Sequence, residues 1–199
     1  VNTILRRPDG TLLGDNTDYD GFLYLLKSAG AQVEGRKALV LGSGGASLTV
    51  RAVLSELGAR EIITISRSGE NNYQNLDRHA DAQIIVNATP VGMYPNNGVS
   101  PVDLDQFPQC EGVFDLIYNP SKTQLLLQAQ RRGLIWGNGL GMLVAQAKAA
   151  SERFQGKKLP DELVADITAK LERETKNILL IGMPGCGKTT VGKALAQRL

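Results

Sequence analysis

The sequence has little of what several classes of protein require. Its 199 residues include two cysteines, Cys110 and Cys186, whose spacing fits neither a disulfide framework nor a metal site. No apolar run approaches the roughly 20 residues that cross a bilayer, and the first residues lack the pattern of a signal peptide. We therefore expect a reduced, cytoplasmic setting and no membrane partner.

An excess of charge of one sign is also missing. With 22 basic and 20 acidic residues, the formal net charge is +2. Such a balance gives no broad basic surface, so nucleic acid is not expected as a partner. Any anion must then be bound by particular loops. A hydrophobic content of 42% and a charged content of 21% are typical of a soluble globular protein, whose oligomeric state the sequence leaves open.

Strand and helix patterns alternate from residue 36 onward. The predicted strands are Lys37–Leu41, Glu61–Ile65, Gln83–Asn87, Gly112–Ile117, Leu134–Trp136 and Ile178–Ile181. The predicted helices are Leu48–Leu57, Thr123–Arg132, Met142–Phe154, Asp161–Glu174 and Val191–Leu199. Strands separated by helices of this length run parallel with right-handed crossovers, so we predict an α/β, Rossmann-like doubly wound sheet.

The patterns divide the chain into four segments. Residues 1–35 precede the alternating pattern and are expected to supply a helix that connects to an upstream segment, and residues 36–160 to form one α/β domain. Residues 161–176 are a predicted helical linker, and residues 177–199 a truncated phosphate-binding domain. The chain starts at Val1 rather than Met and stops within a helical pattern, so we interpret it as an internal fragment.

A glycine-rich loop follows the first strand of the predicted sheet. Gly42, Gly44 and Gly45 lie between that strand and a helix, which is the context of a dinucleotide fingerprint. Glycines let the pyrophosphate approach the backbone, where helix N-terminal amides meet its charge. The third glycine of the pattern is replaced by Ser47, and an ordinary tight turn is the alternative.

The end of the second strand indicates which dinucleotide is bound. NAD sites usually carry an acid at this point, whereas this chain has Ser66, Arg67 and Ser68. A guanidinium between two hydroxyls suits a 2′-phosphate, which favours NADP. A solvated Arg67 is the alternative, and Glu70 nearby weakens the prediction.

A second glycine loop lies near the end of the chain. The stretch Gly182–Thr189 fits the P-loop pattern of two glycines followed by Lys188 and Thr189. Backbone amides of such a loop cradle phosphates, its lysine reaches the β and γ oxygens, and its threonine binds Mg²⁺. The pattern predicts ATP with Mg²⁺ as a second ligand.

Six motifs in order make residues 1 to about 160 resemble shikimate dehydrogenase. They are the glycine loop and the segments Val1–Thr3, Gly14–Asp18 with Gly21-Phe22, Asn87–Met93, Asp115–Pro120 with Thr123, and Gly139–Leu143 with Gln146. The family reduces 3-dehydroshikimate to shikimate with NADPH in aromatic amino acid biosynthesis, which implies the same activity, fold and cofactor here.

The resemblance also implies roles for individual residues. The substrate would be bound by Asn2, Thr17, Asp18, Tyr118 and Gln146, with Asp18 as the catalytic carboxylate. The cofactor would be bound by Gly42, Ser43, Gly44, Gly45, Ala46, Ser66, Arg67, Ser68, Asn87, Thr89, Gly139 and Met142.

Hydride transfer to a ketone leaves an alkoxide that needs a proton donor, and a carboxylate beside an ammonium can relay that proton. In the family the lysine belongs to an N-terminal substrate-binding domain, of which residues 1–35 would be the end, and no segment here matches its motif. Lys27 and Lys37 are poor substitutes, because one lies late in a predicted helix and the other at the start of a strand. We therefore expect NADP binding but little or no dehydrogenase activity from these residues alone.

Without the resemblance, Asp18 would be interpreted as the N-cap residue of a helix. His79 is expected to be exposed, and Trp136 to pack in the sheet.

The last segment resembles the opening of shikimate kinase, which phosphorylates the dehydrogenase's product. The resemblance implies that ATP is bound by Gly185, Cys186, Gly187, Lys188, Thr189 and Thr190, and Mg²⁺ by Thr189. With most of that domain absent, independent kinase activity is not expected.

Two alternatives to an NADP-dependent shikimate dehydrogenase remain: a quinate or shikimate dehydrogenase that uses NAD, and a non-catalytic nucleotide-binding module.

Overall fold

The structure, a computed structural model, describes residues 1–176 and 178–198. The chain divides into two compact units, Val1–Thr168 and a second unit from Ala169 onward. Among the described residues, no helix is both long and apolar enough to cross a membrane.

The first unit holds nearly all of the regular structure. Its elements are β1 (Thr3–Arg6), β2 (Leu12–Asp15), α1 (Asp18–Ser28), β3 (Lys37–Leu41), α2 (Gly45–Glu56), β4 (Glu61–Ile65), β5 (Ile84–Asn87), β6 (Gly112–Asp115), α3 (Gln124–Arg131), β7 (Ile135–Gly137) and α4 (Gly139–Gln155). Helix α5 (Glu162–Glu174) begins in this unit, and α6 (Lys188–Ala196) belongs to the second.

Five parallel strands form the central sheet in the order β4-β3-β5-β6-β7. The predicted parallel α/β sheet is therefore confirmed, and β3 and β4 have the predicted bounds. Both strands are short apolar runs bounded by turn residues, a pattern typical of strands buried in a parallel sheet. Helices α2 and α4 begin three residues earlier than predicted, in the glycine-rich segments before them.

Side chains of β3 alternate between two hydrophobic cores, one on each face of the sheet. Leu39 and Leu41 pack in the core beneath α3, and Ala38 and Val40 pack in the core formed with α1 and α2. All four side chains are fully buried. Burying a large aliphatic side chain stabilises the fold by about 1.5–3 kcal/mol, so the strand that leads to the first glycine loop is firmly held.

An antiparallel hairpin precedes α1 and was not among the predicted strands. Strand β1 pairs with β2, with Thr3 opposite Asp15. Ile4 and Leu12 are exposed, so the hairpin lacks the alternation of buried apolar residues that identifies strands in a sequence. Its pairing brings Asn2 close to the start of α1, since the backbone N–H of Asn2 donates to the carbonyl of Asp15.

One alternative interpretation and two expectations about the first unit are wrong. Helix α1 has Thr17 rather than Asp18 as its N-cap residue, and Asp18 is the first helical residue. Strand β6 ends at Asp115 instead of Ile117, because the Asp115 carboxylate accepts the Ile117 N–H. His79 is buried and not exposed, since the segment around it folds onto the sheet as a 3-10 turn. Trp136 packs against the core beneath α3, as expected.

The second unit has a helix but no strand among its described residues. The predicted strand Ile178–Ile181 is irregular, and the side chains of Leu179 and Ile181 are more than four-fifths exposed. A strand needs a neighbour for its backbone hydrogen bonds, and the described residues of this unit offer none. Helix α6 covers part of the predicted Val191–Leu199, although Leu199, like Asn177 at the start of the predicted phosphate-binding domain, lies outside the described residues.

Candidate functional site

The carboxyl ends of β3 and β5 meet where the chain changes direction across the sheet. From β3 the chain crosses to β4 on one side and then returns to β5 on the other. In open parallel sheets, ligands bind in the crevice at such a switch point.

The first glycine loop forms one wall of this crevice. Gly42 has φ +104°, and a Cβ there would lie 2.8 Å from the Thr89 Cγ2 and 3.0 Å from the Ala88 carbonyl oxygen. The position therefore requires glycine for both its conformation and its contact. A Cβ on Gly44 or Gly45 would meet nothing within 4 Å, so the space outside the loop is open at the start of α2.

Ser47 occupies the position of the third fingerprint glycine. Its side chain is buried, and its hydroxyl donates to the Gly44 carbonyl at 2.6 Å. The hydroxyl thus ties the first turn of α2 to the loop. Helix N-terminal amides and an open glycine loop together make a favourable place for a phosphate group.

A cleft of about 310 Å³ lies beside the loop. It is lined by Ala46, Ala88, Thr89, Pro90, Met93, Tyr94, Leu116, Ile117, Tyr118 and Asn119. Predicted site residues Ala46, Thr89 and Tyr118 therefore share one cleft. Tyr118 is 51% exposed, which leaves its ring accessible to a ligand.

Asn87 faces the protein interior below this cleft. Its side chain is fully buried, and its oxygen accepts from the N–H and, at 2.6 Å, the hydroxyl of Thr89. Its amide nitrogen donates to Asp115 at 3.0 Å. Asn87 thus holds the Ala88–Thr89 wall in place, and it does not line the cleft itself.

The buried Asp115 links both walls of the cleft, and sequence reasoning assigned it no role. Besides Asn87, its carboxylate accepts from the Ile117 N–H at 3.1 Å and from the Thr123 hydroxyl at 2.7 Å. Burial raises the pKa of Asp115, although these donors oppose the shift. An acid at the end of an apolar strand was the available signal, because a buried charge needs partners.

Helix α4 begins next to the same cleft. The Gly139 N–H donates to the Ile117 carbonyl at 3.0 Å, so the first turn of α4 lies against the end of β6. Met142, one turn later, packs on the core beside α1 and α2. These two predicted cofactor residues are therefore near the cleft, although neither lines it.

The predicted 2′-phosphate residues follow β4. Arg67 and Ser68 are exposed, and Arg67 makes no ion pair among the residues that the structure describes. Burial raises the pKa of Tyr73, and the nearby positive charge of Arg67 opposes that rise. Ser66 is partly buried, and its N–H donates to the Asn71 carbonyl at 3.1 Å. The guanidinium is thus free to bind an anion.

Four of the predicted substrate residues form one hydrogen-bonded cluster. Asn2 donates to the Asp18 carboxylate at 3.1 Å and accepts from the N–H of Thr17 at 3.0 Å. The Thr17 hydroxyl lies 3.2 Å from the side-chain oxygens of both Asn2 and Gln146. Tyr118 makes no hydrogen bond to this cluster among the described residues.

The close approach of α1 and α4 makes this cluster possible. A Cβ on Gly21 would lie 2.6 Å from the Met142 carbonyl oxygen and 3.1 Å from the Gln146 Cβ. Only a glycine lets the helices come this near. Gln146 on α4 therefore reaches Thr17, one turn before Gly21 on α1.

Arg153 braces the segment around Asp18, and it was not predicted as a site residue. From α4 it hydrogen-bonds Asp15 and also Asp20, the latter at 2.7 Å. The two carboxylates flank residues 16–18. The Asn16 N–H holds the pKa of Asp15 below its usual range, and Arg153 lowers it further.

The two lysines considered as proton-relay partners lie elsewhere. Lys37 is buried at the amino end of β3, with its ammonium 2.8 Å from Asp81 and 3.4 Å from Glu61. The glycine loop is at the opposite end of this strand. Lys27 is exposed in the last turn of α1. Among the described residues, no lysine forms an ion pair with Asp18.

The second glycine loop is described within its own unit. Gly185 and Gly187 have positive φ, and Gly187 is the N-cap of α6. The Lys188 ammonium donates to the carbonyls of Gly182 and Met183, both at 2.8 Å. Cys186, Thr189 and Thr190 are exposed.

A parallel sheet with a glycine loop at its switch point and polar groups at its carboxyl edge defines a dinucleotide-binding protein of the Rossmann type. No protein-family model matches the chain. Individual relatives identify the family more closely. The chain is 34% identical over 185 residues to the shikimate dehydrogenase (NADP(+)) of Clostridium perfringens, and the match covers 86% of this chain and 68% of that protein. The chain belongs to the shikimate dehydrogenase family.

Two further similarities agree with this assignment. The shikimate dehydrogenase (NADP(+)) of Caldanaerobacter subterraneus is 35% identical over 175 residues, which are 78% of this chain and 62% of that protein. The crystal structure of a chorismate mutase/shikimate 5-dehydrogenase fusion protein from Clostridium acetobutylicum has a TM-score of 0.82 and 34% identity, covering 87% of this chain and 67% of that one. The chain thus spans about two thirds of the length of these relatives.

Proposed function

We propose that this chain is the cofactor-binding part of an NADP-dependent dehydrogenase that interconverts 3-dehydroshikimate and shikimate. One observation carries the proposal: Asn2, Thr17, Asp18 and Gln146, from three distant stretches of sequence, meet in one hydrogen-bonded cluster. Amide, hydroxyl and carboxylate groups suit a small polyhydroxylated substrate. The name of the relatives supports NADP as the cofactor.

The residues at the switch point fit a dinucleotide. Gly42, Gly44 and Gly45 leave an open backbone surface at the start of α2 for the pyrophosphate. Arg67, which has no ion-pair partner among the described residues, supplies the positive charge for a 2′-phosphate. When bound, the reduced nicotinamide supplies a hydride. The apolar lining of the cleft suits the ring, and Tyr118 lies at its open side.

Asp18 serves as the carboxylate that orients the substrate. The bond from Asn2 fixes one of its oxygens and leaves the other oxygen without a hydrogen bond among the described residues. A proton relay to the developing alkoxide also requires an ammonium group near this carboxylate. Lys37 is committed to Asp81 and Glu61, and Lys27 is exposed in the last turn of α1. We therefore expect these 199 residues to bind NADPH and to turn over 3-dehydroshikimate slowly or not at all.

Cofactor titrations test the proposal directly. Fluorescence of NADPH and NADH on addition of the chain gives both dissociation constants. We expect NADPH to bind more tightly, and Arg67→Ala to weaken NADPH binding by about tenfold, as expected for loss of a charge-assisted contact. Shikimate binding, followed by calorimetry, should not change. Arg131→Ala, an exposed arginine on α3, is the matched control.

The alternatives predict other results. Equal or tighter binding of NADH would favour a quinate or shikimate dehydrogenase that uses NAD. Binding of a dinucleotide without any shikimate binding, in the wild-type chain and in Asp18→Asn alike, would favour a non-catalytic nucleotide-binding module. Failure to bind either dinucleotide would overturn the proposal.

For the second unit we propose the opening of an ATP-dependent shikimate kinase. The P-loop pattern, the helix that follows it and the metabolic link to shikimate support this assignment. Lys188 would bind the β- and γ-phosphates, and Thr189 the Mg²⁺ ion. We expect no phosphorylation of shikimate by this chain. Weak Mg²⁺·ATP binding that Lys188→Met abolishes would support the assignment, whereas binding that Lys188→Met leaves unchanged would contradict it.

A further inference from the structure

His79 is the only histidine of the chain, and neither the cleft nor the substrate cluster uses it. Its side chain is 7% exposed, and its Nε2 lies 2.9 Å from the Asn71 side-chain oxygen. Its Nδ1 is buried without a hydrogen-bond partner among the described residues. Burial of a polar ring with only one of its two nitrogens hydrogen-bonded costs stability.

The pairing determines the state of the imidazole. The side-chain oxygen of Asn71 can only accept a hydrogen bond, so Nε2 of His79 carries the hydrogen and Nδ1 is unprotonated. His79 is thus a neutral, fixed donor to Asn71.

Asn71 connects this donor to the residues that follow β4. The backbone carbonyl oxygen of Asn71 accepts the N–H of Ser66 at 3.1 Å. Ser66 directly precedes Arg67 in the sequence. One path from the buried ring to the backbone of Arg67 therefore passes through Asn71 and Ser66.

The loop between Ser66 and Asn75 is braced internally as well. The Asn72 amide donates to the Gly69 carbonyl at 3.1 Å, and the Asn75 amide donates to the Glu70 carbonyl at 2.9 Å. The Asn72 N–H donates to the Asn75 side chain at 2.9 Å. With the loop closed on itself, the His79–Asn71 bond and the packing of Tyr73 and Leu76 on the core beneath α3 together fix its orientation relative to the protein interior.

From these contacts we infer that the His79–Asn71 pair sets the preference for NADP over NAD by holding Arg67 in position for the 2′-phosphate. The inference rests on the proposed function and assigns His79 as a positioning residue, since it is not argued to touch the cofactor. A loop whose backbone is already ordered loses less conformational entropy when it binds a phosphate, so this preformed loop favours NADPH. NADH has no 2′-phosphate and gains nothing from this order.

Removal of the hydrogen bond tests the inference. His79→Leu deletes the donor, and we expect the dissociation constant of NADPH to rise about fivefold and that of NADH by less than about twofold, in line with one lost hydrogen bond. His79→Gln keeps a side-chain N–H donor and should restore most of the preference. Asn71→Ala removes the same bond from the partly exposed side and serves if His79→Leu fails to fold.

The single histidine also provides a spectroscopic readout. In NMR spectra, the imidazole signals of His79 should shift when NADPH binds and remain nearly unchanged with NADH. Equal weakening of both cofactors in His79→Leu and Asn71→Ala, or no change in either, would overturn the inference. The proposed function fails separately, if the wild-type chain does not bind NADPH or does not prefer it to NADH.

Discussion

The second glycine loop matches its sequence pattern more fully than the first, in which Ser47 replaces the third glycine, but the first has much stronger structural support. The first follows β3, whose neighbours β4 and β5 hold it on both sides, and a full helix follows the loop. The second follows an irregular stretch with exposed Leu179 and Ile181. Sequence patterns record which backbone groups meet phosphate, whereas the position of those groups depends on neighbouring strands.

Hydrogen exchange gives the largest expected contrast between the loops. The amides of Val40 and Leu41 belong to a strand paired on both sides, so they open only through unfolding of the sheet. We expect them to exchange at least about a thousandfold more slowly than the amides of Leu179 and Leu180, because about 4 kcal/mol of opening free energy separates them. Exchange rates measured by NMR or mass spectrometry would contradict the comparison if the two sets were similar.

A matched pair of glycine substitutions sharpens the contrast. Gly42 and Gly185 both have positive φ, but only Gly42 has atoms within 3 Å of a built Cβ. We expect Gly42→Ala to lower the free energy of unfolding by about 3 kcal/mol, since strain and a backbone clash add. Gly185→Ala is strained too, but Gly185 belongs to the second unit, so the free energy of unfolding of the first unit should change by less than about 0.5 kcal/mol.

The single tryptophan, Trp136, packs in the first unit and reports its unfolding. Urea titrations followed by its fluorescence measure both variants on the same transition. A large effect of Gly185→Ala on this transition would mean that the second loop supports the first unit, contrary to the comparison.

The hydrogen bonds of Asp115 under the cleft and those of Lys188 in the second glycine loop are also expected to contribute differently to stability. Asp115→Asn places an amide donor among groups that themselves donate, so one buried donor loses its acceptor. We expect this loss to lower the free energy of unfolding by about 2 kcal/mol. Lys188→Met removes bonds that are exposed to water and should leave the Trp136 transition unchanged. Thr123→Ser keeps the hydroxyl donor to Asp115 and is the matched control. A similar loss of unfolding free energy in all three variants would show that the hydrogen bonds of Asp115 contribute no more to stability than those exposed to water.

The smallest effect concerns pH and again belongs to the first unit. Burial lowers the pKa of His79 below 6.5, Lys37 and Arg78 add to this shift, and Glu61 and Asp81 oppose it. A depressed pKa means that the unfolded chain binds more protons near pH 6, so stability falls as pH drops below about 6.5. His79→Gln, which cannot ionise, should lose less stability between pH 7 and pH 5. Parallel loss in both proteins would contradict this assignment.

Sequence reasoning succeeded where local pattern and final environment agree. Strands β3 and β4 are apolar runs closed by turn residues, so their bounds were predictable. It failed where a distant group decides the outcome. His79 lies in a polar stretch, and its burial depends on the sheet that this stretch covers. The absence of a strand at Ile178–Ile181 depends on a missing neighbour, which no property of those four residues reveals.

The candidate site shows the same division. The residues of the glycine loop and of the substrate cluster could be named from motifs, and their roles stay predictions. Asp115 and Arg153 could not be named, because each acts by holding other residues: Asp115 the two walls of the cleft, and Arg153 the carboxylates of Asp15 and Asp20. Motifs identify the groups that meet a ligand more readily than those that support them.

The contact at Gly21 has an evolutionary consequence. Because its missing Cβ sets the spacing of α1 and α4, any side chain there would move Gln146 away from Thr17 and disrupt the cluster in a single mutational step. Drift in substrate preference must then proceed by exchange of side chains on two helices whose separation is fixed. The backbone at this crossing is a shared constraint on every descendant sequence that keeps the site.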